Sequence, residues 1–149
     1  MGMFYELNGM VELHFDDDDA AQAIEEIIDE FETECGEITT EWSYNSDGTG
    51  MFSVSGGDYM SYGRAEELDE ILKRLSPYVV KPCFFRYHCD EGDGVVFLGP
   101  RDKEEEVLSQ VAFDEIQYRL ERLTEEDRRK LTTILLKWNL DRAKERRPG

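Results

Sequence analysis

Residues 3–15 alternate strictly between two sets of side chains, and this run does most to limit what the chain can fold into. One set contains Met3, Tyr5, Leu7, Gly9, Val11, Leu13 and Phe15, and the other contains Phe4, Glu6, Asn8, Met10, Glu12 and His14. A period of two residues is typical of a β-strand with one buried face. The alternation therefore predicts a long first strand whose odd-numbered side chains face the core.

The period changes after residue 19 and indicates a helix. Apolar side chains recur at spacings of three and four in Ala20, Ala23, Ile24, Ile27, Ile28, Phe31 and Cys35. The aspartates at 16–19 suit the start of this helix, both as a cap and against the positive end of its dipole. Gly36 suits its end.

The next segments predict an antiparallel sheet with a second helix. Residues 38–44 and 52–54 flank the turn-rich NSDGTG and predict a β-hairpin. Residues 56–63 are glycine-rich and predict a loop. Apolar spacing from Ala65 to Leu75 predicts a helix that ends before Pro77, and residues 79–89 and 95–98 predict two further strands.

The predicted order is β-α-β-β-α-β-β, which is an α+β class with two helices on one face of an antiparallel sheet. The first six elements match the split βαβ, ferredoxin-like arrangement. A meandering sheet with the same helices and another strand order is the alternative.

Residues 101–149 predict two helices that meet at Thr124, with Thr124 as a cap and acidic residues in the first turn that follows. Such a helical hairpin would either pack on the open face of the sheet or serve as a docking or dimerisation arm. In the second case, the chain would form a homodimer through residues 101–149.

Charge divides the chain at Gly99-Pro100. Residues 101–149 contain 12 Lys or Arg and 12 Asp or Glu, whereas residues 1–100 contain 5 and 23, so the formal charge of −18 belongs to the first part. A charge asymmetry of this kind is informative about partners. We predict an acidic α+β domain at 1–100 and a charge-neutral helical extension at 101–149.

The composition also excludes several function classes. A strongly negative surface disfavours direct binding to nucleic acid or to an anionic membrane. No apolar run approaches the roughly 20 residues that span a bilayer, and the N-terminus lacks a signal-peptide pattern. Three cysteines are too few for a disulfide framework and indicate the reducing cytoplasm of a host cell.

A row of carboxylates is the main candidate for partner binding. Helical neighbours three and four apart lie about 5–6 Å from each other, close to the spacing of successive phosphates in a nucleic-acid strand. Carboxylates in such a row can take the place of a phosphate backbone in a basic groove. The candidate residues are Glu25, Glu26, Asp29, Glu30 and Glu34, extended by Asp16, Asp17, Asp18, Asp19, Glu66, Glu67 and Glu70.

The same charges also fit a plain solvated surface, which is what charge runs usually mean. Tyr59 and Tyr62, in the glycine-rich SGGDYMSYG, are the predicted aromatic anchors, because tyrosine offers contact area and a hydroxyl at low entropy cost.

Metal and catalytic sites find no support in the sequence. Adjacent aspartates at 16–19 point in different directions and the EF-hand pattern is absent, so capping is the better interpretation. His14 and His88 would approach each other only if the first and fourth strands are neighbours. Cys83 and Cys89 lie six residues apart, about 20 Å along a strand, which is too far to share a zinc ion. We predict no cofactor, no metal and no enzymatic activity.

Small acidic proteins without a catalytic motif resemble, in charge and size only, the inhibitors that phages and mobile elements direct against nucleic-acid-processing defence enzymes. Anti-CRISPR and anti-restriction proteins form this class, and the resemblance implies no residue roles. The leading hypothesis is a stoichiometric inhibitor that mimics nucleic acid on a basic protein partner. An immunity or antitoxin protein that neutralises a basic toxin and a small α+β enzyme or ligand sensor are the alternatives.

Overall fold

The odd-numbered side chains of the first strand lie on the face of the sheet that is buried in the core. In the computed structural model, which describes residues 2–145, β1 spans Met3–His14. Tyr5, Leu7 and Leu13 are at most 2% exposed, whereas Met10 on the opposite face is 60% exposed. The predicted alternation is therefore confirmed.

The α+β class is also confirmed over the described residues. After β1 follow α1 (Asp18–Glu34), β2 (Thr39–Tyr44), β3 (Thr49–Ser55), β4 (Gly57–Met60), α2 (Tyr62–Lys73), β5 (Cys83–Cys89), β6 (Gly92–Leu98), α3 (Glu104–Leu120) and α4 (Glu125–Glu145). Single 3-10 turns occupy Ser76–Tyr78 and Arg101–Lys103.

The sheet has the order β2-β3-β1-β5-β6, and the pairs within the described residues are antiparallel. Because β3 lies between β1 and β2, the first three strands form the split βαβ arrangement. β5 pairs with the other edge of β1, as the ferredoxin-like order requires, and β6 extends the sheet as a hairpin partner of β5.

The predicted loop at 56–63 is wrong over most of its length, because Gly57–Met60 forms β4 and Tyr62 begins α2. Gly9 pairs with Val54 of β3 and Glu6 pairs with Gly57 of β4, so β4 resumes the register of β3 on β1 after a short interruption. Gly56 lies in this interruption with a φ of +101°, which favours glycine. Glycine content predicted a loop, but the unpaired edge of β1 supplied hydrogen-bond partners.

The strand predicted at 95–98 is longer and begins at Gly92 as β6, whereas the strand predicted at 79–89, which is β5, is shorter than predicted. β5 begins at Cys83, immediately after Pro82, whose backbone has no N–H to donate to a sheet. Of the preceding residues, Val79 forms a single bridge to Leu13.

Both helices that cover the sheet begin at side-chain caps. Asp17 accepts a hydrogen bond of 2.8 Å from the backbone N–H of Ala20, and Ser61 accepts one of 3.2 Å from that of Arg64. Gly36, with a φ of +62°, follows α1 as predicted. The two helices bury Ile24, Ile28, Phe31, Ala65, Leu68, Ile71 and Leu72 against the sheet.

The described residues form two compact units that divide between Val107 and Leu108. The second unit contains the larger part of the predicted helical hairpin, namely α3 from Leu108 onward and α4, which are joined by residues 121–124. Thr124 caps α4 by accepting a hydrogen bond of 3.2 Å from the backbone N–H of Asp127. No described side chain of either helix is buried, and Phe113, Ile134 and Trp138 are each more than half exposed.

Candidate functional site

The acidic face of α1 is the set of exposed carboxylates that have no Lys or Arg within 4 Å in the described chain. Its members are Asp18, Asp19, Glu25, Glu26, Asp29 and Glu32. Glu25 and Asp29 are one helical turn apart, and Glu26 and Asp29 are three residues apart, so their side chains are neighbours on the surface. The opposite side of α1 is anchored in the core, so the face is presented by a rigid element.

Two of the predicted contact residues instead form ion pairs within the chain. Glu30 pairs with Arg74, the residue that caps the end of α2, and Glu34 pairs with Arg64 of α2 at 3.4 Å, so the two pairs link α1 to α2 and its cap. These pairs neutralise part of the predicted row. The unpaired row therefore runs from Glu25 through Asp29 to Glu32, which accepts a hydrogen bond of 2.9 Å from the hydroxyl of Thr40.

The aspartates at 16–19 divide between local roles and the acidic face. Asp16 lies 2.9 Å from Nε2 of His14, and Asp17 is the cap of α1. Asp18 and Asp19 lie exposed in the first turn. The capping interpretation made from the sequence is confirmed for Asp17.

The three acidic residues of α2 that were predicted as partner contacts have different environments. Glu70 pairs with Lys73 at 3.3 Å, Glu67 is exposed without a basic neighbour within 4 Å in the described chain, and Glu66 lines a groove. Glu70 is therefore paired, whereas Glu66 and Glu67 have no ion pair in the described chain.

The two tyrosines predicted as anchors lie on different sides of the sheet. Tyr59 of β4 is 73% exposed and packs edge to face on Phe4, on the side away from the helices. Tyr62 is the first residue of α2 and lines the same groove as Glu66. The two rings therefore do not form a single contact patch.

The conditional approach of His14 and His88 does not occur, although β1 and β5 are neighbours. His88 pairs across the sheet with Glu6, and eight residues of β1, about 27 Å, separate Glu6 from His14. The ring of His88 bonds to Asp93, and that hydrogen bond is the main cause that raises the pKa of His88.

The cysteines have the properties of structural thiols. Cys35 is buried, Cys83 and Cys89 are half-buried, and each is free. Burial raises the pKa of Cys83 to about 11 and also raises that of Cys35, so both are protonated near neutral pH and are weak nucleophiles. Within residues 2–145, no group of three His, Cys, Asp or Glu side chains is arranged to hold a metal ion.

A groove of about 370 Å³ lies beside α2, where the ends of β1, β5 and β6 meet. We call it the Tyr5–Asp69 groove. Its aromatic lining is Tyr5, Tyr62 and Tyr87, and its charged lining is Glu66, Asp69, Glu91 and Asp93. No described Lys or Arg lines it. Its volume falls within the range of small-ligand sites, about 300–1,000 Å³.

One hydrogen bond joins the inner wall of the groove. The hydroxyl of Tyr5 donates to Oδ1 of Asp69 at 2.6 Å. Burial is the main cause that raises the pKa of both groups, while the Tyr5 hydrogen bond acts to lower that of Asp69. Tyr5 therefore keeps its proton, and Asp69 is a half-buried carboxylate with no basic side chain within 4 Å in the described residues.

The outer wall is formed by rings whose positions are set by the sheet. Tyr87 stacks on Tyr5 with ring centroids 5.7 Å apart, and a Cβ at Gly94 would lie 2.2 Å from the Tyr87 hydroxyl. Gly94 thus leaves the space that Tyr87 occupies. At the rim, hydrogen bonding to Glu91 is the main cause that raises the pKa of Tyr62 to about 12.

Sequence reasoning did not predict this groove. Tyr5 belongs to the core-facing set of β1, and Asp69 lies four residues after Ala65 and three before Leu72, both buried. A carboxylate at a core spacing of an amphipathic helix was the one available signal. Its partner, 64 positions away, becomes evident only when β1 and α2 pack together.

Comparisons with protein-family models, with curated proteins and with solved structures found no match. Among the described residues, no helix combines the length and apolar character needed to cross a membrane.

Proposed function

We propose that this chain is a stoichiometric inhibitor that binds the basic nucleic-acid-binding surface of a defence nuclease or effector. The observation that supports the proposal is the acidic face of α1, where the described chain leaves its carboxylates without internal basic partners. A basic groove offers the counter-charges that this face lacks, and complementary potentials accelerate association.

The support of α1 favours this function over a merely solvated surface. Ile24, Ile28 and Phe31 hold the helix in the core, and Asp17 caps its first turn. Two ion pairs, from Glu30 and Glu34, bind it to α2. Because the helix backbone is already ordered, binding costs the rotamer entropy of the carboxylate side chains but no backbone ordering, so the spacing of the face is preorganised for a partner.

The proposal places the protein in the cytoplasm of the host cell and assigns it no reaction. Free thiols at Cys35, Cys83 and Cys89 suit a reducing compartment. An immunity protein that neutralises a basic toxin would use the same acidic face, so the two functions differ in the partner alone.

The test combines partner capture with charge reversal. Tagged full-length chain is incubated with nuclease-treated host lysate at low and moderate salt, and the captured protein is identified, purified and assayed for competition by DNA or RNA. We expect a basic nucleic-acid enzyme whose activity falls at a one-to-one ratio. A toxic nuclease whose toxicity is relieved would indicate the immunity function instead.

Glu26→Lys with Asp29→Lys is the decisive variant, and Glu104→Lys with Glu105→Lys is its control, because both pairs change the net charge equally. The control residues are exposed and lie at the start of α3. We expect the α1 variant to weaken binding at least tenfold and the control to change it less than twofold. Equal effects of the two variants, or the absence of a captured partner, would contradict the proposal.

A further inference from the structure

We propose that the Tyr5–Asp69 groove binds an alkylguanidinium group, the side chain of an arginine on the basic partner. The assignment to a partner arginine rests on the proposed function, whereas the affinity of the groove for the group rests on its own residues. Tyr62 and Glu66, both expected to contact the partner, lie in its lining.

The negative charge of the groove favours the binding of a cation. Four carboxylates line it, and one of them, Asp93, is paired with His88. Asp69, in contrast, is half-buried with the Tyr5 hydroxyl as its one side-chain hydrogen-bond partner in the described chain.

The charge of Lys73 acts to lower the pKa of Asp69, but its ammonium pairs with Glu70, so burial remains the larger effect on Asp69. A carboxylate withdrawn from water and incompletely compensated by a counter-charge is unfavourable. An entering cation offsets that cost, and Oδ2 of Asp69 is the acceptor that remains to receive its N–H.

The shape and aromatic lining favour an organic cation over a metal ion. The four carboxylates do not converge on one position, since no described group of three potential ligands is arranged around a metal site. Tyr87 presents a half-buried ring held by Tyr5 and Gly94. A planar guanidinium stacks on such a ring and bonds to carboxylates in two directions, which a compact ammonium does less well.

The groove can be tested without the partner. Amide spectra of the isotope-labelled full-length chain are recorded by NMR during titration with N-acetyl-arginine-methylamide. Its neutral isostere N-acetyl-citrulline-methylamide and the lysine analogue serve as controls. We expect saturable shifts at Tyr62, Glu66 and residues 87–93, weaker shifts with lysine and none with citrulline. Shifts centred on α1, or equal shifts with all three probes, would overturn the proposal.

Asp69→Asn removes the charge while keeping an acceptor for Tyr5, and Glu67→Gln removes a neighbouring charge outside the groove. We expect Asp69→Asn to weaken probe binding about tenfold, the scale of a hydrogen bond to a charged group. Glu67→Gln should change it less than twofold. Thermal unfolding of both variants verifies that they are folded. Equal behaviour of the two would also overturn the proposal.

Binding of the purified partner then separates this inference from the proposed function. If Asp69→Asn and Glu26→Lys with Asp29→Lys both weaken the complex, a partner arginine occupies the groove. If the α1 variant alone weakens it, the proposed function stands and the partner-arginine assignment is overturned. If no partner is captured while the arginine probe still binds, the proposed function fails and the groove's occupant is a free guanidinium compound.

Discussion

The hydroxyl of Tyr5 and the carboxylate of Asp69 are joined by a hydrogen bond of 2.6 Å across 64 positions of the chain. Because burial raises the pKa of both groups, the contact joins a phenol that stays protonated to a carboxylate that is poorly hydrated. This pair connects the stability of the fold to the chemistry of the groove.

Tyr5→Phe should lower the free energy of unfolding by about 1.5–3 kcal/mol at neutral pH, because it removes the donor of a hydrogen bond to a charged group. Urea unfolding measures this change. The cost should be smaller in an Asp69→Asn background, where no charge is left unsolvated. An equal cost in both backgrounds would show that the space left by the hydroxyl, and not its hydrogen bond to a charged group, is responsible.

Asp69 should make stability fall as the pH rises out of the acid range. Its pKa is higher in the folded protein than the ordinary value of 3.8. The stability it contributes is therefore fully present below pH 3.8 and is lost as pH rises through the folded pKa. Asp69→Asn should remove this component, so its stability relative to the original chain should improve between acid and neutral pH. Urea unfolding at a series of pH values measures the free energy of unfolding of both proteins. Parallel pH profiles for Asp69→Asn and the original chain would contradict the expectation.

Gly9→Ala should destabilise the sheet by about 1–3 kcal/mol, the usual scale of overpacking in a core. A Cβ at this position would lie 2.5 Å from the ring of Phe85, which is fully buried. Gly63→Ala is the matched control, because its Cβ would have no neighbour within 4 Å and alanine favours the helix by about 0.5–1 kcal/mol. Thermal unfolding of both variants should therefore shift in opposite directions.

Residues 108–145 should mediate self-association of the full-length chain into a homodimer. The hairpin leaves Phe113, Ile134 and Trp138 uncovered by its own helices. A second copy is the expected occupant, because residues 101–149 carry no net charge and two hairpins can therefore meet without repulsion. The acidic residues 1–100 of the two copies repel each other. Added salt screens that repulsion and should strengthen the dimer, in contrast to its effect on an acidic-face complex.

Sedimentation equilibrium measures this assembly. Ile134→Glu should shift the chain to monomer, whereas Thr133→Glu, at a neighbouring exposed position with the same change in charge, should leave the dimer intact. A monomer at every protein and salt concentration would contradict the expectation.

The His88 ring should titrate above its ordinary pKa of 6.5, because a hydrogen bond and the charge of Asp93 favour the protonated form. Asp93→Asn should lower that pKa, as followed by NMR of the ring protons. Stabilisation from the pair is present below pH 6.5 and is lost as the pH rises through the folded pKa. An unchanged titration in Asp93→Asn would assign the shift to other carboxylates.

The sequence by itself determined those features that depend on neighbours along the chain. The alternation of β1, the apolar spacing of α1 and α2, a cap among the aspartates at 16–19 and the end at Gly36 all follow from local periodicity and backbone preference. The α+β class follows from their order. The same reasoning placed an excess of carboxylates on the first 100 residues.

Only the tertiary structure decided how those charges are used. Glu30 and Arg74 are 44 positions apart, and their pairing depends on how α1 lies against α2. β4 exists because β1 has an edge to fill, and Tyr59 and Tyr62 separate because one lies on that strand and the other on a helix. The Tyr5–Asp69 groove likewise needs β1, α2 and the β5–β6 hairpin together, since strand order and register, not local propensity, bring distant residues into contact.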